Sequence, residues 1–168
     1  MEPHLGSLVL EGLGKAKTHV VVGLPDGLLR DVYERAASDA RFRYIGVTNE
    51  GEGASIVAGC WTGGQRAVLV MENSGIRVAC EHLARLAHNN EIPVPMILSL
   101  RGDLGTRAFR AHGHAQSMEP LLQAMRIPYK IITRKDDVVD SVAGLIYHAI
   151  SSQHHAALVF APPLIGGA

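Results

Sequence analysis

Aromatic residues are scarce in this chain, at 5% of 168 residues with a single tryptophan, while glycine is frequent at 18. That leaves a core of Val, Ile, Leu and Ala, the composition of buried parallel sheets. Charge of one sign is also missing. Sixteen Lys and Arg balance sixteen Asp and Glu with no run of like charge, which excludes a nucleic-acid surface or a membrane-binding stripe. The partner expected is a small molecule or another protein. Only two cysteines occur, Cys60 and Cys80, without CxxC spacing, so reduced, buried thiols are expected rather than a disulfide or a zinc site. Apolar runs such as Pro93 to Leu100 fall far short of the roughly 20 residues that span a bilayer, and Met1 to Lys15 lacks the pattern of a secretory signal. A soluble cytoplasmic protein of one domain over residues 1–168 is the expectation.

Several catalytic motifs are absent too. Glycines 51, 53, 59, 63 and 64 fit neither GxGxxG nor a P-loop. Ser74 follows a strand and precedes a helix, as a nucleophile elbow would, but Glu72-Asn73-Ser74-Gly75-Ile76 lacks both glycines of GxSxG. Asn73 or Ser74 is better suited to capping the helix that follows. His112-Gly113-His114 and His154-His155 have no acidic or cysteine companions at a metal-ligand spacing, so loop or helix-surface histidines are expected. A role toward substrate stays open for His112 and His114.

What is present is alternation. Short apolar runs at His19 to Gly23, Tyr44 to Thr48, Ala67 to Met71, Pro95 to Leu100, Tyr129 to Thr133 and Ala157 to Phe160 predict six strands. Between them, helices are expected around Leu28 to Ala36, Ile76 to His88, Ser117 to Met125 and Val138 to Ala149, with one more at Leu5 to Leu13. Asp136 and Asp137 fall in the first turn predicted for the later helix, where acids suit the dipole. The prolines after Ala161 suggest a simple exit. Strands alternating with helices imply an α/β fold, a three-layer α/β/α arrangement with a six-stranded, mainly parallel sheet. Ligands of such sheets gather outside the carboxyl ends of the strands. The segments there are Leu24 to Gly27, Asn49 to Gly53, Glu72 to Gly75 and the long loop Arg101 to His114.

Glu50 is the carboxylate to watch. It closes the second predicted strand and is followed at once by a helix of small residues, Gly51 to Gly59, a placement suited to chemistry or a close interface rather than to packing. An acid at a helix start is also stabilised by the dipole alone. Glu52 suits that capping role better.

Four segments, in order, change the balance: Gly23-Leu24-Pro25-Asp26-Gly27-Leu28-Leu29, Asn49-Glu50-Gly51 with Ala58-Gly59, Met71-Glu72-Asn73-Ser74-Gly75, and Arg101-Gly102-Asp103. Together they resemble the pyrimidine-binding domain of thiamine-diphosphate decarboxylases, on the side of that family that acts on sulfopyruvate and phosphonopyruvate. The resemblance runs from about His19 to Phe160. It implies that Glu50, nine residues before Gly59, hydrogen-bonds the aminopyrimidine of thiamine diphosphate and activates it. It further implies Pro25, Asn73, Ser74 and Gly75 beside the cofactor, and Asp26, Arg101, His112 and His114 toward a 2-oxo acid. Glu72 places a further acid on that substrate side. The family's magnesium site needs a Gly-Asp-Gly and a downstream Asn, yet the chain has no Gly-Asp-Gly and no Asn after Asn90. The resemblance therefore implies a split enzyme: an alpha subunit, inactive alone, whose beta subunit carries the diphosphate-binding domain and holds Mg2+, in a hetero-oligomer. Alternatives are a carboligase subunit of acetolactate-synthase type or a non-catalytic regulatory or scaffold domain of the same fold.

Overall fold

The apolar runs of the sequence become the strands of one sheet. In a computed structural model that describes residues 4–104, 106 and 109–165, with backbone only at 87, 88 and 110, the chain runs α1 (Leu5–Lys15), β1 (Val20–Gly23), α2 (Arg30–Ser38), β2 (Arg43–Gly46), α3 (Glu50–Thr62), β3 (Ala67–Glu72), α4 (Gly75–Asn90), β4 (Pro95–Ser99), α5 (His112–Ala124), β5 (Tyr129–Ile132), α6 (Val138–Ser152), β6 (Ala156–Phe160) and the short α7 (Pro162–Ile165). Every strand pairing is parallel. The order is β2-β1-β3-β4-β6-β5.

Composition explains which strands sit inside. All the residues of β4 and β6 are buried, as are those of β3 up to Met71, so these runs carry no alternation and suit a sheet covered on both faces. The edge strands differ. In β2, Arg43 is exposed, and in β5 Lys130 and Ile131 are exposed, the charged side chains blunting two edges that would otherwise invite pairing. One apolar cluster joins α1, α2 and α6 to one face through Val9, Leu13, Val32, Val142 and Ile146. The other joins α3, α4 and α5 to the opposite face through Val57, Ile76, Leu83 and Leu122. Each fully buried Leu or Ile of this kind stabilises the fold by about 1.5–3 kcal/mol. Among the described residues no helix is long and apolar enough to cross a membrane.

Four local expectations are corrected. The second strand stops at Gly46, so Glu50 does not close it. Asn49 instead caps α3, its side chain accepting from the amides of Gly51 and Glu52, and Glu50 is the first helical residue. The loop after β4 is shorter than expected: after a 3-10 turn at Phe109–Ala111, α5 begins at His112, five residues before Ser117. His112 and His114 thus occupy a helical first turn. Asp136 and Asp137 lie in a 3-10 turn at Lys135–Asp137, just ahead of α6. The residues after Ala161 form α7, because Pro suits the first turn of a helix, where its missing amide costs nothing.

The sheet order reverses direction between β1 and β3: the chain passes outward from β1 to β2, then returns to β3 on the other side. That reversal opens the crevice where such folds bind ligands. Register deepens it. Gly23, the last residue of β1, pairs with Val70, and β3 continues two residues further to Glu72, paired with Ser99 at the end of β4. Glu72 therefore projects past the end of β1, beside the turn that carries Pro25 and Asp26.

Candidate active site

Glu50 reaches the crevice from the first turn of α3 and is only 9% exposed. Its position follows from two local devices. Asn49 caps the helix, and Glu52 reaches back so that its Oε2 accepts from the amide of Thr48 (3.1 Å) and its hydroxyl (3.3 Å). Glu52 thus takes the capping role expected of it, and Glu50 is left free of it. Glu50 lies against Gly75, the first residue of α4. A β-carbon at Gly75 would stand 2.7 Å from Glu50 Cγ and 2.9 Å from its Oε1, so only glycine leaves this carboxylate its place. Among the described residues, no hydrogen bond reaches the Glu50 carboxylate. Its oxygens are not sealed off, since His114 Nδ1 is the one buried side-chain polar atom without a partner among the described residues, and they are open to a donor from outside the chain.

The turn between β3 and α4 is built differently from the capping arrangement expected of it. Asn73 is fully buried and clamps the end of β4: its Nδ2 donates to the carbonyl of Arg101 (2.9 Å), and its Oδ1 accepts from the amide of Arg101 (3.2 Å). Its side chain is spent on the fold. The Ser74 hydroxyl donates to Glu72 Oε1 at 2.9 Å instead of capping α4. What these residues do is hold the turn, so that Gly75 and Glu72 present themselves to the crevice.

Glu72 is the hub on the other side. Its side chain is 16% exposed; Oε2 lies 2.8 Å from Arg101 Nη1, and Oε1 lies 2.8 Å from His114 Nδ1. Burial pushes its pKa up, but hydrogen bonds from Arg101 and Ser74, with the charges of Arg101 and His114, outweigh that and hold the carboxyl below the usual range. The acid is ionised. His114 Nδ1 is buried and off the direction of a hydrogen bond despite its short approach. His112 is exposed at the start of α5.

Asp26 closes the crevice from the β1 side. Its Oδ1 accepts from the amide of Leu28 (3.0 Å) in a tight turn, and its Oδ2 accepts from the Ser99 hydroxyl (2.8 Å). Pro25 is exposed beside it, and both line a cleft of about 400 Å³ with Arg30, Tyr33 and Tyr44. The one residue that ties these groups together was visible in the sequence only as a core position of α2. Tyr33 is buried beneath the crevice and donates to the carbonyl of Val70 at 3.2 Å. Burial pushes its phenol pKa up, and the charges of Asp26, Glu50 and Glu72 add to the shift. The phenol thus lies within the electrostatic reach of all three acids. Nothing in local periodicity marks such a tyrosine.

Not every candidate is gathered there. His155 is fully buried at the opposite end of the sheet, a correction to its expected place on a surface. A larger cavity of about 490 Å³ lies between β5 and α6, lined by Lys130, Asp137, Ser141, Gly144 and His148 among others. It holds none of the candidate residues. Among the described residues, no cluster of His, Cys, Asp and Glu could hold a metal ion.

No family model matches the chain. The alpha subunit of sulfopyruvate decarboxylase from Methanococcus maripaludis is 31% identical over 109 residues, 65% of each chain. That from Methanothermobacter thermautotrophicus is 28% identical over 137 residues, covering 82% of this chain and 83% of the relative. Phosphonopyruvate decarboxylase of Streptomyces viridochromogenes is 37% identical over 98 residues. The chain is a homologue of these decarboxylases. It spans about a quarter of the phosphonopyruvate decarboxylase, with 58% of this chain matched to 24% of that one. In fold it is similar to part of 2-oxoglutarate:ferredoxin oxidoreductase from Magnetococcus marinus, with a TM-score of 0.73 at 16% identity, over 97% of this chain and 29% of that one.

Proposed function

We propose that this chain is the pyrimidine-binding alpha subunit of a split, thiamine-diphosphate-dependent 2-oxo acid decarboxylase. The observation that carries the proposal is Glu50: a buried carboxylate, unpartnered within the described chain, set against a glycine at the carboxyl edge of the sheet in a homologue of decarboxylases. A site lined this way fits an aminopyrimidine, which brings a hydrogen-bond donor to a carboxylate and a flat ring to a wall without side chains. When bound, thiamine diphosphate supplies the electron sink that lets a 2-oxo acid lose carbon dioxide.

The residues of this chain have four tasks. Glu50 accepts the hydrogen bond of the protonated ring nitrogen and holds that proton in place, a task suited to a carboxylate shielded from water. Gly75 keeps the wall flat, and Asn73 and Ser74 fix the turn that carries it. Asp26, held by Ser99 and its own turn, faces the crevice where proton transfer to or from the reacting acid can occur. Arg101 and His114 stand on the substrate side, with His112 at its rim. The diphosphate and its Mg2+ are assigned to a beta subunit, as the words "subunit alpha" in the relatives' names suggest. The exposed side of α3, where Ser55 and Gly59 leave open space, suits the approach of that partner. A cytoplasmic hetero-oligomer follows.

The test is Glu50→Gln in the assembled complex of both subunits with thiamine diphosphate and magnesium. Release of carbon dioxide from a 2-oxo acid should fall about a thousandfold or more. Full activity in that variant, or decarboxylation by this chain without a partner, would sink the assignment. A condensed product in place of the aldehyde would mark a carboligase.

A further inference from the structure

The decarboxylase assignment leaves open which 2-oxo acid the site takes, and the ion pairs at its substrate side bear on this. We propose that Glu72 restricts the site to 2-oxo acids whose carboxylate is their only anionic group, by holding Arg101 in an ion pair that a sulfonate or phosphonate would otherwise need. This inference rests on the decarboxylase assignment and goes beyond it.

Three observations support it. Arg101 is committed: Nη1 sits 2.8 Å from Glu72 Oε2, while the backbone amide and carbonyl of the same residue are held by Asn73. The Asn73 clamp anchors the backbone from which the guanidinium reaches Glu72. Glu72 in turn is largely covered and ionised, and it draws Arg101, His114 and Ser74 onto its two oxygens. An anionic tail that captured Arg101 would leave this largely covered charge with weaker compensation, which is unfavourable. Finally, Asp26 lies at the same strand ends, its Oδ2 accepting from Ser99, the residue of β4 that pairs with Glu72, so a second carboxylate stands near the first. Among the described residues, the cation that reaches Glu72 whatever the proton state of His114 is Arg101. A second negative group on the substrate meets like charge at close range. An uncharged side chain leaves the network intact.

Glu72 thereby acts through Arg101 as a positioning residue. The experiment compares kcat/KM for 2-oxobutanoate, 3-sulfopyruvate and phosphonopyruvate in the assembled complex, for the wild type and Glu72→Gln. The wild type should favour 2-oxobutanoate by at least about tenfold, and Glu72→Gln should shift the ratio toward the two doubly acidic substrates by about ten- to a hundredfold, mainly through KM. A wild-type preference for 3-sulfopyruvate or phosphonopyruvate would overturn the proposal without any variant. So would an equal loss on all three acids in Glu72→Gln, the sign of a structural role. A complex that binds thiamine diphosphate yet releases carbon dioxide from none of the three overturns the decarboxylase assignment itself, and this inference with it.

Discussion

The two ends of the sheet bury polar groups in opposite ways. At the amino end, His155 is fully buried just before β6, and both ring nitrogens are engaged: Nδ1 accepts from the amide of Val94 at 3.0 Å, and Nε2 donates to the carbonyl of Leu83 at 2.7 Å. That arrangement requires the neutral ring with its proton on Nε2. It ties the start of β6 to the start of β4 and to α4, and it is closed. At the carboxyl end, Glu50 has no hydrogen-bond partner among the described residues, and His114 Nδ1 is buried 2.8 Å from Glu72 Oε1 but off the direction of a hydrogen bond. A satisfied buried network stabilises a fold, whereas a carboxylate that faces an opening adds little to stability and keeps its oxygens available to a partner. The difference separates a histidine that holds the molecule from an acid that faces an opening.

The largest test of that contrast is Glu50→Gln. Beyond its loss of turnover, it should change the unfolding free energy by less than about 0.5 kcal/mol, measured by urea denaturation of the isolated chain. A large destabilisation would place Glu50 with His155 among structural groups. The reverse is expected of His155→Ala. Leaving the Val94 amide and Leu83 carbonyl bare should cost about 3 kcal/mol or more, seen as a lower urea midpoint, with turnover per folded complex unchanged.

Gly75→Ala probes the open end by geometry. The added methyl meets Glu50 Cγ at 2.7 Å and should displace the carboxylate, lowering kcat about a hundredfold with little change in stability. Wild-type kcat in this variant would show that the carboxylate has freedom to spare. The smallest effect concerns pH. Because the folded state holds the Glu72 pKa below its unfolded value, the stability it contributes is fully present above the ordinary glutamate pKa of about 4.3 and is lost as pH falls through the lower, folded value. With Arg101 44% exposed, the gain should stay under about 1 kcal/mol. Denaturation curves at pH 7 and pH 3 should therefore converge slightly for Glu72→Gln relative to the wild type, and an increased pH dependence in the variant would reverse the sign.

Strand positions were legible because runs such as Val68-Leu69-Val70-Met71 and Ala157-Leu158-Val159-Phe160 are apolar without a break, and only a strand covered on both faces uses such a run. Helix starts were less legible. The onset of α5 at His112 is set by the 3-10 turn before it and by Gly102, whose φ of +94° and close approach to the Ala111 carbonyl bring the chain round after β4. Such a turn leaves no periodic mark. The candidate acids could be placed at strand ends, and Glu52 could be separated from Glu50, because capping depends on neighbours only a few residues away. The roles of Asn73 and Ser74 could not, since their partners, Arg101 and Glu72, are set by which strands lie side by side.

Residue type and spacing alone thus determined the α/β layers, the crevice edge and the candidacy of Glu50, all of which depend on local pattern. Tertiary structure decided the rest. It set β1 next to β3, carried Glu72 two residues past the end of β1, paired it with Arg101 and His114, and set Tyr33 within the field of three acids. The physical reason is that charge and hydrogen bonding act through space over a few ångströms, and only the order of strands in the sheet brings Glu72 to Arg101 and Asp26 to Ser99 within that range.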